Sequence, residues 1–390
     1  METGVKENSI FNTLTESTGF HVTRNFIVDM SHDVLEGIVE YIVPSLIRYL
    51  LTLRIDPEVT LLDLLNDRRN RFVYDHAGSK PSFFYAENFT NKHCKLKQTM
   101  AQRLNLVLAL PLLIGDYVPE DDCFWEVFMQ LRELLVMLMG NMRLADLPHL
   151  KDLIAEFLEN YCNTWKKLPG FRSMPFKFHA LTHYPYIIEQ VGPVSHLMSI
   201  RLEGKHRLLK QFSVASSSFK NICFTIAKRH QISFALRCMQ QRGFTSVSDV
   251  FDDEGRSISI KIFETRHCNE ICSALGARAN ETIQSTNCVS QNNVSFKLGQ
   301  VVYLGYDEEE HWPIFYKILF LFQWRETYYI LGTFLRCLHY LDHFQVYKVE
   351  ETASHRLIDF VFLRNPYPLI IRKLPSRPNV LVVSLRDRLL

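Results

Sequence analysis

The chain has 390 residues, 47% of them hydrophobic and 12% aromatic, which suffices for two or three packed domains and excludes a disordered chain. Its formal net charge of +2 excludes a globally basic nucleic-acid binder, so any phosphate-binding surface has to be local. The nine cysteines are scattered and odd in number, which suits free thiols in a reducing compartment. Met1–Phe20 lacks the apolar core of a secretory signal, and apolar runs such as Leu104–Ile114 are too short for a membrane span. The expectation is a nuclear or cytoplasmic protein with no membrane contact.

In chain order, Phe20–Val28 partly alternates and predicts a short extended segment. Asp29 and Ser31 then offer capping oxygens to a helix with Val34, Leu35, Ile38, Val39, Ile42 and Val43 on its apolar stripe, kinked or reset at Pro44. Further helices are predicted from Asp56-Pro57 through Leu65, over Lys97–Ile114 with a bend at Pro111, and over Phe124–Asn141 capped by Asp121-Asp122. The Phe124–Asn141 helix is apolar over most of its circumference, hence central in a bundle. Pro148–Trp165 and Phe176–Gln190 follow, the latter ended by Gly192-Pro193, and two basic helices reach about Arg242. Residues 243–298 turn polar and read as a linker, with Val247–Phe251 and Ile258–Phe263 as strand fragments. From Val301 the period becomes two, predicting strands at Val301–Tyr306, Ile314–Trp324, Thr327–Arg336, Phe344–Val349, Leu357–Leu363, Leu369–Arg372 and Val380–Val383 in a small antiparallel sheet or barrel.

The segment Arg201-Leu202-Glu203-Gly204-Lys205-His206-Arg207-Leu208-Leu209-Lys210 sets one carboxylate among cations. Glu203, Arg207 and Lys210 share a helix face, which spacing alone assigns to a solvated row of ion pairs. The other reading is a metal-binding carboxylate in a phosphate-attracting neighbourhood that continues through Lys205, Lys220, Lys228 and Arg229. Asp29 and His32, three apart, read by themselves as a helix cap and a partly buried imidazole. His179 and His183 have zinc-compatible spacing without a metalloprotease glutamate, so packing near the core is the favoured role. His267, Cys268 and Cys272 offer three ligands without the paired spacing of a zinc site and read as irregular surface.

Taken together, Gly192-Pro193, Arg201-Leu202-Glu203 with Lys205-His206, Phe219-Lys220-Asn221-Ile222-Cys223 and Lys228-Arg229-His230-Gln231 resemble the C-terminal catalytic stretch of CACTA (En/Spm)-like DDE transposases and of transposon-derived animal proteins. Leu202 stands where that family usually has an aromatic residue. A second anchor, Asp29-Met30-Ser31-His32-Asp33 with Leu35-Glu36-Gly37, is similar to the family's Asp-x-x-His segment. The resemblance implies an RNase H-like core interrupted by a helical insertion, with Glu203 as a ligand of Mg²⁺ or Mn²⁺ and Asp29 and His32 beside the active site. It covers residues 1 to about 240, and the β-rich tail matches more loosely.

That reading sets the expectations for the whole chain. The fold is α+β: a mainly α-helical N-terminal region, with a partial RNase H-like core and helical insertion, then a small antiparallel β domain. Residues 1–39 are a core remnant, 40–191 the insertion, 192–242 the core helices with Glu203, 243–298 the linker and 299–390 the β domain. Residues 1–28 contain no aspartate, so the chain carries at most one of the three metal acids. It is therefore expected to bind DNA without cutting it and to hold no metal tightly. Its partner would otherwise be a protein, or the N-terminal part of a transposase. The alternative is a host protein–protein interaction module whose acidic site is vestigial. Missing core strands are expected to leave apolar surface exposed near Phe20–Val28 and on the Glu203 helix.

Overall fold

The computed structural model describes residues 25, 27–53, 60–74, 79–90, 96–140, 142–167, 174–217, 220–239, 251–252, 257–291, 294–309, 311–363 and 367–385. It is an α+β protein, helical through Met239 and antiparallel β at its C-terminal end. The expected strand at Phe20–Val28 lies outside the described residues except for Asn25, Ile27 and Val28, which are not in a strand. Among the described residues up to Met239 there is no strand, so an RNase H-like sheet has no counterpart there.

A π-helical segment, Ser31–Ile38, runs into α1 (Val39–Leu50), which continues through Pro44 rather than resetting. Next come α2 (Leu61–Arg71), α3 (Glu87–Thr90), α4 (Met100–Ile114), α5 (Cys123–Met139) and α6 (Leu147–Trp165). The caps explain the starts. Thr99 and Gln102 form a reciprocal capping box on α4, and Asp122 Oδ1 accepts from the Phe124 and Trp125 amides at 3.0 and 2.8 Å. The predicted helix over Phe176–Gln190 is split into α7 (Phe176–Leu181) and α8 (Tyr184–Val191), and Gly192, at φ 85°, terminates it. The basic pair is α9 (Ile200–Ser216) and α10 (Ile222–Met239).

As expected, α5 is central: Phe124, Val127, Phe128, Leu131, Leu134, Leu135 and Leu138 are all buried. They pack with Ile42, Leu46, Leu110, Phe157, Phe178 and Tyr184 in one core that spans the helical body.

The β unit contains β1 (Phe251–Asp252), β2 (Ile258–Lys261), α11 (Cys268–Leu275), β3 (Thr282–Thr286), β4 (Cys288–Gln291), β5 (Val294–Lys297), β6 (Val301–Tyr306), β7 (Pro313–Trp324), β8 (Thr327–Leu341), β9 (Val346–Asp359), β10 (Ile371–Leu374) and β11 (Arg377–Val383). Its main sheet runs β10-β11-β9-β8-β7-β3-β2, with β6 sharing the edge of β7 that β3 also uses. A reciprocal pair of bonds, Val301 N–H to Leu369 O at 2.8 Å and the reverse at 2.7 Å, ties β6 to the segment before β10 and closes the sheet on itself. Period-two alternation sorts the side chains: Val301 and Tyr303 join one core with Phe315 and Leu335, while Val302 joins the opposite one with Ile318 and Ile330.

Two expectations need correction. The Phe344–Val349 and Leu357–Leu363 strands are largely one long β9, because Glu350, Glu351, His355 and Arg356 between them still pair with β8 across a register shift. The supposed linker, over its described residues 251–252, 257–291 and 294–298, is β1, β2, α11 and β3–β5. The fragment expected at Ile258–Phe263 is there as β2, whereas the apolar residues of β3–β5 are too few per strand to register as a period; Ile262, Ile271, Ile283 and Phe322 form a buried cluster. Residues 243–250 lie outside the described set.

The β unit docks on the helical body. Trp125 Nε1 donates to His343 O at 3.1 Å, and His343 Nε2 donates to Gly115 O at 2.7 Å. Arg132 donates to Gln345 Oε1 at 2.7 Å and Ser384 Oγ at 3.1 Å, beside an apolar contact of Leu112 with Val346, Leu374 and Val382.

Candidate functional site

Asp29 and His32 sit where the extended chain enters the π-helical segment. The π register shows in the Val39 amide bonding Val34 O, five residues back. It is an uncommon backbone that concentrates at functional sites. Gly37 makes room there: a Cβ would displace the Lys177 side chain, whose Nζ donates to His32 O at 2.7 Å. From the other side, α8 ends at Gly192 and the buried Val194 and Met198 hold the following segment down. That brings Ser199, the residue before α9, against Asp29.

Three side chains meet. Asp29 Oδ2 is 2.5 Å from His32 Nδ1, while Oδ1 accepts from the Ser31 amide at 3.0 Å and the Ser199 amide at 3.3 Å. Ser199 Oγ is 3.3 Å from the same His32 Nδ1. A Ser-His-Asp relay needs the serine and the aspartate on opposite ring nitrogens, so this arrangement is not one. His32 Nε2 faces Glu36 Oε2 at 3.8 Å instead.

The two neighbouring carboxyls are pushed apart. Burial works to raise Asp29, but hydrogen bonds from Ser199, His32 and the Ser31 amide outweigh it and hold the group below 3.8. Burial dominates at Asp33 and raises it above 3.8, despite bonds from the Asp29 amide and from the Tyr184 hydroxyl at 3.2 Å. Tyr184, fully buried beside that carboxylate, is driven far above its usual range, first by burial and then by Asp33.

The described residues here do not fit a two-metal centre. Asp29 is the carboxylate that faces α9, and both its oxygens are already engaged by donors. A pair of Mg²⁺ ions needs several free oxygen ligands. Among the described residues the group with metal-ligand geometry lies elsewhere, at His267, Glu270 and His355 on the β unit.

The chain matches no family model, no curated protein and no solved structure.

The residues singled out from sequence fall into four groups. Asp29 and His32 touch, and they contact the residue that opens the Glu203 helix across 170 positions of sequence. Glu203, Lys205 and Arg207 lie in the first half of α9, but their side chains lie outside the described set. Lys210, Lys220 and Lys228 are exposed, whereas Arg229 is half-buried and its Nη1 donates to Phe212 O at 3.2 Å, tying α10 to α9. His179 and His183 are exposed rather than packed in the core, with their Nε2 atoms 3.2 Å apart. Ser199, Lys177 and Tyr184 had no sequence signal: each acts by contact with a residue far along the chain.

A cleft of about 1050 Å³ opens between α5 and the β8–β9 turn. Glu120, Asp121, Glu126, Glu133 and Asp342 line it, with Arg377 as its cation. Such a wall repels phosphate, so this cleft is not a nucleic-acid site.

Proposed function

We propose that this chain is part of a CACTA-like DDE transposase, or a host-retained derivative of one, and that its α9–α10 hairpin binds DNA phosphates without cutting the strand. The observation that carries this reading is the charge of the hairpin. Between Ile200 and Met239 stand Arg201, Lys205, Arg207, Lys210, Lys220, Lys228, Arg229 and Arg237 against one acid, Glu203, in a chain whose total is +2. Such a local excess, with Lys210, Lys220 and Lys228 exposed, is the footprint of a phosphate-binding surface. The contact of Asp29 and His32 with Ser199 supports the transposase origin, because it joins the two segments on which the resemblance rests. No metal-dependent step is assigned, since the described carboxylates do not fit a two-metal site.

The test is DNA affinity against salt. Log K should fall linearly with log salt, and Lys210→Ala/Lys220→Ala/Lys228→Ala should lower the slope by about 3, at roughly 0.9 per phosphate contact removed. Affinity unchanged by the triple substitution would place binding elsewhere, and no affinity at low salt would remove the reading.

A second reading has its own observation. Phe224, Ile232, Phe234, Leu236 and Met239 of α10 face solvent, with Phe224 70% and Met239 81% exposed. An apolar helix face of this kind is what a protein–protein interaction module presents. Pull-down of a protein partner that Phe224→Ser/Met239→Ser abolishes, in a chain with no DNA affinity, would favour it.

A further inference from the structure

We infer that His267, Glu270 and His355 form a zinc-class metal site on the β unit, unrelated to the DDE acids. Helix α11 presents Cys268, Ile271, Cys272 and Leu275 to the apolar cluster with Ile283, Phe322 and Leu357. His267, at its N-cap position, and Glu270, three residues on, lie together beside that buried face. On β9, His355 precedes Leu357 by two residues and so shares its face, the one turned to α11. Helix and strand are thus held by the same core, and the three polar groups converge at its rim.

The spacing fits. His355 Nδ1 is 3.5 Å from Glu270 Oε1, and one donor atom from each of the three residues lies within 4.8 Å of the others. Ligands about 2.0–2.1 Å from a tetrahedral zinc stand about 3.4 Å apart, so the His355–Glu270 edge is already at metal-bound length. The His267 ring lies beside them, its centroid 5.7 Å from that of His355 at 74°, and would close from within 4.8 Å on metal binding. Two imidazoles and one carboxylate select zinc over Mg²⁺ or Ca²⁺, which take oxygen ligands. Glu270 is 37% and His355 26% exposed at the side chain, which leaves a fourth position open to water. The ion would staple α11 to β9.

The test uses the full chain, tag removed and EDTA-stripped, titrated with Zn²⁺ by calorimetry in competition with a chelator. One equivalent should bind, and zinc should raise the melting temperature. Glu270→Gln and His355→Ala should each weaken zinc by more than the roughly 10–100-fold that an outer-shell partner is worth. His179→Ala/His183→Ala and Cys268→Ser/Cys272→Ser, which remove the competing pairs, should leave it unchanged. Melting curves in EDTA check that each variant is folded, and Glu270→Gln, a half-exposed isosteric change, serves if His355→Ala is not. Absence of stoichiometric zinc binding overturns the proposal. So does binding that survives Glu270→Gln or disappears with either control pair.

Discussion

Arg132 and Arg229 both reach a backbone carbonyl, in surroundings of opposite kind. Arg132 is 4% exposed, bonds Gln345 and Ser384 as well, and sits where α5 meets the β unit. Arg229 ties α10 to α9, but the apolar residues around it on α10 face water. One region spends a buried cation on joining two parts of the chain, and the other keeps cations and apolar side chains together at the surface. The comparison separates residues that hold the fold from residues available to a partner. A buried polar tie is costly to break because its acceptors lose their donor in a place water does not reach, whereas an exposed residue already has water.

That contrast can be broken in graded steps. Arg132→Ala should have the largest effect, a loss of about 3 kcal/mol in denaturant unfolding, because charge-assisted bonds across a buried junction disappear. Gly115→Ala comes next. A Cβ there would lie 2.9 Å from Phe344 Cε1, so the junction must shift, at a cost of about 1–2 kcal/mol by thermal melting.

Asp29→Asn should cost about 1 kcal/mol at neutral pH and carry a pH signature. Asp29 is held below 3.8 in the fold, so its contribution is full above 3.8 and is lost as pH falls through the lower folded value. Asp33 is raised, so its contribution is full below 3.8 and is lost as pH rises through its folded value. Melting temperature followed from neutral to strongly acidic pH should therefore lose part of its acid-side decline in Asp29→Asn. A parallel offset at every pH would mean that the carboxylate is not stabilised by Ser199 and His32. The smallest effect belongs to the hairpin: Phe224→Ser should stay within about 0.5 kcal/mol of the parent. A larger loss would show that α10 is covered in solution.

Much of the fold was legible because local signals agreed. The Asp122 cap, the all-round apolar α5 and the Gly192 stop are each set by residues within a few positions of one another. The Val301–Tyr306 strand is legible for the same reason. In the 243–298 stretch Ile258–Phe263 was legible and is β2, but β3–β5 were not, since strands such as β3 are stabilised by neighbours such as β7 rather than by their own pattern. The candidate sites divide in the same way. Asp29 and His32 are three apart and could be paired from sequence, while Ser199 reaches them across 170 positions. His267 and Glu270 share a helical turn, but His355 arrives only because β9 crosses beneath α11.

The sequence by itself determined the helix and strand periods, most helix ends and the concentration of cations between Ile200 and Met239, because these depend on neighbours along the chain. Only the tertiary structure decided which cations stay exposed, where the β unit docks, and that an imidazole on β9 faces two ligands on α11. Those outcomes depend on which faces pack against each other, and packing joins residues whose separation along the chain carries no periodic trace.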